Sequence, residues 1–555
     1  MTALKHTLII SFAGFCLSAV ALLRAQEPAA PATSTIYPLR QILIGESVEA
    51  AEKLSFVPNG GFVVLPPAYS LINVKELTKV LAAGENRPID DRLLVAVAQV
   101  VEGFFRRNDF PIATAIIPQQ RVTDGVLRVA VLPGKFREIR FQGNRWFSES
   151  LLRDKLHVES GTVVRVSDLE RAVNWTNDSP FRRIRVHIDP IPNSNEANLI
   201  VGVQERLPLR LSGSIDNGGN EVIGKHRFIA GASYGNMWGL DHSVAYQFVT
   251  TDKSKIYQAH GFNYRVPLAS RHTLQVTASY AHASPKFYEG LIVQDGRNAT
   301  ADLRYSIPLK SGDNPMEAFA TVSFKQSNNN LEFGGTQADS SKTDIFNLSA
   351  GISKVRRDPK GAWILGATLT GSPGGVTSLN RDEVFESTRH LAKASYLYGN
   401  FTAQRLQILA KGWELSSRGA LQLSSERLLV SEQLSGGGAS TVRGFDENSV
   451  LGDDGFVLNN EILSPVYRKP VPFLGKSRAP LESRFLCFMD AAKVFQKFAN
   501  PTDRKMRALS SAGLGLRMSL PNNASFTADY GWQLTRLAPG RARESRGHLK
   551  LALAY

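Results

Sequence analysis

Cysteine is almost missing. The 555 residues hold two, Cys16 and Cys487. The first lies in the opening 25 residues, so no intramolecular disulfide framework can organise the rest. Long apolar runs are missing too. Beyond those opening residues no stretch of 18 consecutive apolar residues remains to form a membrane-spanning helix. A chain of this kind is either soluble or crosses a membrane as a closed barrel of strands. The ten histidines show no metal-ligand spacing, and no His-Glu-x-x-His occurs. Charge is not concentrated. The excess of 65 basic over 50 acidic residues, net +15, is spread along the chain, with no basic-aromatic motif of the kind that reads nucleic acid. It predicts a solvated basic surface and no nucleic-acid partner. With 21% charged and 9% aromatic residues the composition is that of an ordered protein.

Two stretches resemble catalytic motifs and fail on context. GASYG, residues 231–235, has the G-x-S-x-G form. A nucleophile there needs a sharp strand-to-helix turn, but Ser233 sits in an alternating strand with no helix after it. Gly475-Lys476-Ser477 resembles the end of a phosphate loop, with Pro470 where the first glycine belongs. The sequence thus predicts no enzyme, no catalytic or metal-binding residue, no cofactor and no ATP site.

Positive content begins with Lys5 and His6 ahead of an apolar run over residues 8–23. This is the form of a secretory signal peptide over residues 1–25, cut near Ala25. Residues 26–60 follow as an N-terminal segment. It opens with the small-residue linker QEPAAPATS, continues through IYPLRQILIG, which fits a strand or a helix equally, and ends in a helical stretch over 46–54.

From Phe62 an order appears twice. FVVLPP is a strand, NVKELTKVLA and DDRLLVAVAQVVEGFFRRN are helices, the second capped by Asp90, and PIATAIIPQQ and GVLRVAVLPG are strands. Then REIRFQGN is a strand, SESLLRDKL (capped by Ser148) and VSDLERAVNWTND are helices, and RRIRVHIDPI and ANLIVGVQERL are strands. This predicts two duplicated α+β domains, each with two helices on one face of a three-stranded sheet.

The join between the copies resembles the junction of the two POTRA domains in two-partner secretion transporters, relatives of the BamA-like assembly proteins. The matching residues are Pro118, Gln119, Asp124, Gly125, Leu127, Pro133 and Gly134, and SIDNGGNEVIGKHRF, residues 214–228, resembles that family's first barrel hairpin. The resemblance implies POTRA 1 over 61–134, POTRA 2 over 135–207 and a barrel over 208–555.

The residues beyond 208 fit this. Two-residue alternation recurs in about sixteen segments separated by Gly, Asn, Asp and Pro clusters, as in an antiparallel outer-membrane β-barrel. One expected strand covers 389–406. In GHLKLALAY, Leu549, Leu551, Leu553 and Tyr555 share one face, with His548 and Lys550 on the other. Alternating apolar residues ending in an aromatic one resemble the signal by which such barrels are assembled.

Between strands eleven and twelve lies a Gly-rich loop holding Val442-Arg443-Gly444-Phe445, which resembles the loop motif of the same families. In strand thirteen, Phe488, Asp490 and Ala492 share a face. A carboxylate toward lipid is costly, so that face is the lumen, and Phe485, Cys487 and Met489 face the bilayer. Phe488-x-Asp490 resembles the partner motif, with Ala492 where the family has glycine. Arg443 and Asp490 are expected to pair and tether the loop inside the barrel.

The resemblance implies an outer-membrane translocator with periplasmic POTRA domains that exports an unfolded partner polypeptide, as in haemolysin or adhesin secretion. Its partners would be that polypeptide, bound in extended form, outer-membrane lipid and the barrel assembly machinery. In the family an N-terminal helix can plug the pore, and residues 37–54 are the candidate. The alternatives are a BamA-like assembly factor, a passive diffusion porin and, on GASYG alone, a secreted hydrolase.

Overall fold

The computed structural model describes residues 37–555 except 71, 123, 289–291, 313, 334–335, 471–479, 499–503 and 522. The expected signal peptide, the QEPAAPATS linker and Gly475-Lys476-Ser477 lie outside the described residues. The chain divides into two units, Met1–Arg206 and Leu207–Tyr555.

The first unit holds two α+β modules. In the first, the sheet order is β2 (Val63–Val64), β1 (Gln41–Gly45), β4 (Val126–Pro133), β3 (Ala113–Ile116). Helices α1 (Val48–Glu52), α2 (Val74–Leu81) and α3 (Asp91–Arg107) accompany it. Asp90 caps α3 by accepting the Leu93 N–H at 2.7 Å. Leu77, Val97, Val101, Phe104 and Phe105 pack on Ile42, Ile44, Leu127, Val129 and Val131.

The strand β1 corrects two expectations. The sheet has a fourth strand, and residues 37–54 do not form a free plug. All five β1 residues are buried, and β1 runs parallel to both β2 and β4. The module therefore starts at about residue 37 rather than 61. The physical reason is that QILIG lacks alternation because both its faces are covered. On one side α1 comes so close that a Cβ on Gly45 would lie within 2.6 Å of the Ala51 backbone.

The second module has the expected three strands, in the order β5 (Lys135–Gln142), β7 (Glu196–Glu205), β6 (Arg182–Pro190). Its helices are α4 (Glu149–Leu156), capped by Ser148, and α5 (Val166–Thr176). Phe136, Phe147, Leu152, Leu169, Leu199 and Val201 form its core.

The second unit is a closed antiparallel barrel of sixteen strands among the described residues. In order these are β8 (Leu209–Asp216), β9 (Arg227–Met237), β10 (His242–Thr251), β11 (Tyr257–Pro267), β12 (Thr273–Ala283), β13 (Ile292–Lys310), β14 (Met316–Phe333) and β15 (Thr336–Asp358). They continue as β16 (Gly361–Pro373), β17 (Ser395–Ile408), β18 (Glu414–Ser424), β19 (Asp454–Leu463), β20 (Leu481–Phe495), β21 (Met506–Leu520), β22 (Ala524–Gln533) and β23 (Ser545–Ala554). The seam joins β23 to β8 over five residue pairs, Lys550 with Asp216 through Ala554 with Ser212. Beyond it the Asn217 side chain stands in for strand backbone, bonding Gly547 O and Leu549 N at 2.8 Å each.

Two expected strand limits shift. Residues 389–394 are not strand, because a short helix, α6 (Asp382–Thr388), buries Phe385 and β17 starts only at Ser395. The hairpin of β14 and β15 runs on to Phe333 and Thr336, through polar residues such as Asn328 and Ser340 that carry no apolar alternation.

Candidate functional site

Parity along β20 sets the site. Phe488, Asp490 and Ala492 are buried inward, while Phe485 and Met489 are 67% and 56% exposed and Cys487 is exposed on the outer wall. The loop of residues 425–453, between β18 and β19, brings Arg443 to this inner face. Arg443 Nε and Nη2 reach the two oxygens of Asp490 at 2.7 and 2.9 Å, a two-pronged contact. The Arg443 backbone N–H adds a third bond to Asp490 at 3.2 Å. Its remaining nitrogen, Nη1, meets Glu461 of β19 at 2.6 Å and lies 3.6 Å from Asp529 of β22. The guanidinium stacks 3.6 Å above the Phe488 ring. Arg443 is 4% exposed and Asp490 0%.

The surroundings complete the seat. Asn459 of β19 donates to Asp490 at 2.9 Å and also bonds Thr441 O in the loop. Arg517 of β21 holds Asp529 at 2.6 and 2.9 Å. Gly444 has φ +89°, and a Cβ there would fall 2.9–3.0 Å from the Gly531 backbone of β22. Glycine therefore faces glycine where loop and wall touch. The Gly444 N–H donates to His548 Nε2 of β23 at 3.1 Å, and its carbonyl accepts from Gln533 of β22 at 2.8 Å. Val442 and Phe445 bury themselves with Val450, Val457, Ala492, Val494 and Leu509. The Ala492 methyl is accommodated from the loop side, because Gly436 lies opposite; a Cβ on Gly436 would come 2.9 Å from that of Ala492.

Two further anchors hold the same loop. Glu432, 4% exposed, takes Lys325 Nζ of β14 at 2.7 Å, Asn347 of β15 at 2.9 Å and Tyr398 of β17 at 2.9 Å. Asp453, fully buried, is gripped by Arg389 beyond α6 at 2.6 and 3.1 Å. The loop thus crosses the lumen from the β14–β17 wall to the β19–β23 wall. Sequence reasoning missed Glu432, Asp453, Glu461, Asp529 and His548 as partners. Strand parity marks the last three as inward, but which inward polar residue meets the loop depends on barrel register.

The residues matched to the POTRA junction separate in the structure. Pro133 and Gly134 lie at the join, where the Gly134 N–H bonds Ile112 O and its carbonyl accepts from Val164 at 2.8 Å. Pro118, Gln119, Asp124 and Gly125 do not. They belong to the β3–β4 connection inside the first module, where the Gly125 carbonyl accepts from Arg40 at 2.7 Å. Gln119 and Asp124 are exposed, and the neighbouring Gln120 brackets Arg128 with two bonds of 2.8 Å. At the other end of the chain, Leu551, Leu553 and Tyr555 point outward, and Tyr555 exchanges backbone bonds of 2.9 and 3.2 Å with Leu211 of β8. Ser233 lies within β9, with no helix behind it.

The model of the haemolysin secretion/activation protein family ShlB/FhaC/HecB matches residues 195–518. The chain belongs to this family. Among relatives it is 23% identical over 404 residues to the heme/hemopexin transporter protein HuxB of Haemophilus influenzae, covering 71% of this chain and 70% of that one. It is 21% identical over 422 residues to the outer membrane transporter CdiB of Dickeya dadantii, covering 72% of each. The solved structure of CdiB from Escherichia coli superposes with a TM-score of 0.74 at 18% identity, over 97% of this chain and 95% of that one. This ShlB/FhaC/HecB protein is an outer-membrane transporter of the two-partner secretion type, with POTRA domains in the periplasm, and its function is export of a partner protein. These relatives are transporters, not enzymes. With its first strand leaving the periplasm, the loop between strands eleven and twelve springs from the outer end of the barrel and turns back into it.

Proposed function

We propose that the Arg443–Asp490 clasp gates export, seating the 425–453 loop in the lumen until a partner polypeptide is engaged. The observation that carries this reading is a guanidinium with almost no exposure, held by both oxygens of a fully buried carboxylate across 47 residues of sequence. Removing one member of such a pair leaves a charge without its partner, so the seat is lost as a unit. Val442, Gly444, Phe445, Phe488 and Ala492 shape the seat and carry no chemistry of their own.

The partner enters in extended form and adds itself as a strand to a POTRA sheet edge, where main-chain pairing tolerates varied sequence. POTRA 1 spans about 37–134 and POTRA 2 about 135–206, with Pro133 and Gly134 at their join. The outer edge of β6 beyond Ile184, where residues 186–190 pair with β7 alone among the described residues, supports this mode. Leu551, Leu553 and Tyr555 serve as the signal read by the barrel assembly machinery, and their outward faces meet lipid. Family membership favours export over the assembly-factor and porin readings. In cells, Arg443→Ala abolishes partner export while the barrel remains inserted. Undiminished export by that variant refutes the gating role.

A further inference from the structure

We propose that His548 is a positioning residue of the clasp that works only as the neutral imidazole, so that protonating this one ring frees the Gly444 turn from the wall. The inference rests on the clasp reading and adds to it a titratable release.

The argument is one of donors and acceptors. The Gly444 N–H points at His548 Nε2 at 3.1 Å. A backbone N–H only donates, so Nε2 must accept, and a nitrogen that accepts carries no proton. The ring's one hydrogen is then on Nδ1, a buried atom that meets no acceptor among the described residues. His548 is 5% exposed, so water does not readily replace the Gly444 contact. Protonation sets an Nε2–H against the Gly444 N–H, and two donors cannot share the line.

Gly444 cannot step aside. Its positive φ and the Gly531 backbone fix it on one side, and Gln533 holds its carbonyl on the other. It is also the residue next to Arg443, so a turn displaced there pulls on the Asp490 contact. The charged groups about the ring are Asp529 of β22, its registered neighbour, Asp490 of β20, Arg443 of the loop and Arg546 of its own strand. They comprise two carboxylates and two guanidiniums. On β8, Asp216 is taken up by Arg227 at 2.7 Å. Arg546 in turn pairs with Asp446 of the loop. Asp490 also accepts a loop N–H, that of Arg443, but a protonated carboxyl keeps an accepting oxygen, whereas a protonated imidazole keeps none.

The test uses the full-length protein in planar bilayers, with open-state current followed from about pH 8 to about pH 4. The wild type opens progressively as the pH falls. His548→Gln offers an amide oxygen that accepts and does not titrate, so it stays closed and its current is flat. His548→Ala offers nothing, so it is open about tenfold more often at the alkaline end, the worth of one neutral hydrogen bond, and flat thereafter. A wild-type current without pH response overturns the proposal. So does a His548→Gln protein that keeps the response, which assigns it to the carboxylates, or a His548→Ala protein that matches the wild type. Arg443→Ala, measured alongside, is open throughout. Closure of that variant defeats the clasp reading itself, whereas its opening beside inert His548 variants defeats only the present inference.

Discussion

Replacing Arg443 by alanine strips Asp490 of its two strongest donors and leaves it the Asn459 amide and one backbone N–H. Breaking a buried ion pair from one side costs about 3–5 kcal/mol. The two donors that remain and the polar lumen place this case at the lower end, about 3 kcal/mol, which lowers the ratio of seated to unseated loop by about two decades. Asp490→Asn is milder, because Arg443 keeps Glu461 and lies near Asp529. The double variant Arg443→Ala, Asp490→Ala buries neither charge and is expected to fall short of the sum of the single alanine variants by about 2 kcal/mol. Channel current and protease cleavage within residues 425–453 read the loop, and heat-dependent mobility of the barrel on a gel controls for insertion. Single effects that add within about 0.5 kcal/mol mean the two residues act independently, and the clasp argument fails.

Gly444→Ala meets both a positive φ and the Gly531 backbone, so the seated loop loses about 2 kcal/mol and is cut by protease faster, with the barrel intact. Glu432→Gln keeps an acceptor for Asn347 or Tyr398 and loses the charge that holds Lys325; cleavage is expected to rise around residues 425–436 while the Arg443 contact persists. Deleting residues 37–133 removes the first module whole, including β1, and is expected to end partner binding in a pull-down while the barrel still inserts. Normal export by that deletion refutes partner recognition through the first module.

Much of this was legible in the sequence, for physical reasons. Alternation exposes a strand with one wet face, so the barrel and the inward set of Phe488, Asp490 and Ala492 could be read directly. The caps at Asp90 and Ser148 could be read because a cap is local. Strand β1 could not, since burial on both faces erases alternation and leaves QILIG ambiguous. Helix α6 is too short to show a period, and the outer ends of β14 and β15 run through polar stretches such as QSNNN and QADSSKTD and so carry no apolar alternation. Within the site, Arg443 and Asp490 stood out by motif. Glu432, Asp453 and His548 did not, because each gains its partner from an element more than 60 residues away in at least one contact. The match of Pro118 and Asp124 to a junction misled for the opposite reason. Their neighbourhood is a turn within one module, and adjacency in sequence stood in for a boundary in space.

The pairing of β8 with β23 joins residues 212–216 to 550–554. A cylinder whose first and last staves touch cannot close until the final stave exists, and the chain between them must be ordered before those few bonds form. Until then both staves present bare backbone edges that another chain could occupy. Closure is thus the late and vulnerable step in making this molecule, and a substitution at Asn217, whose amide imitates a missing peptide on the far side of the joint, is expected to slow it.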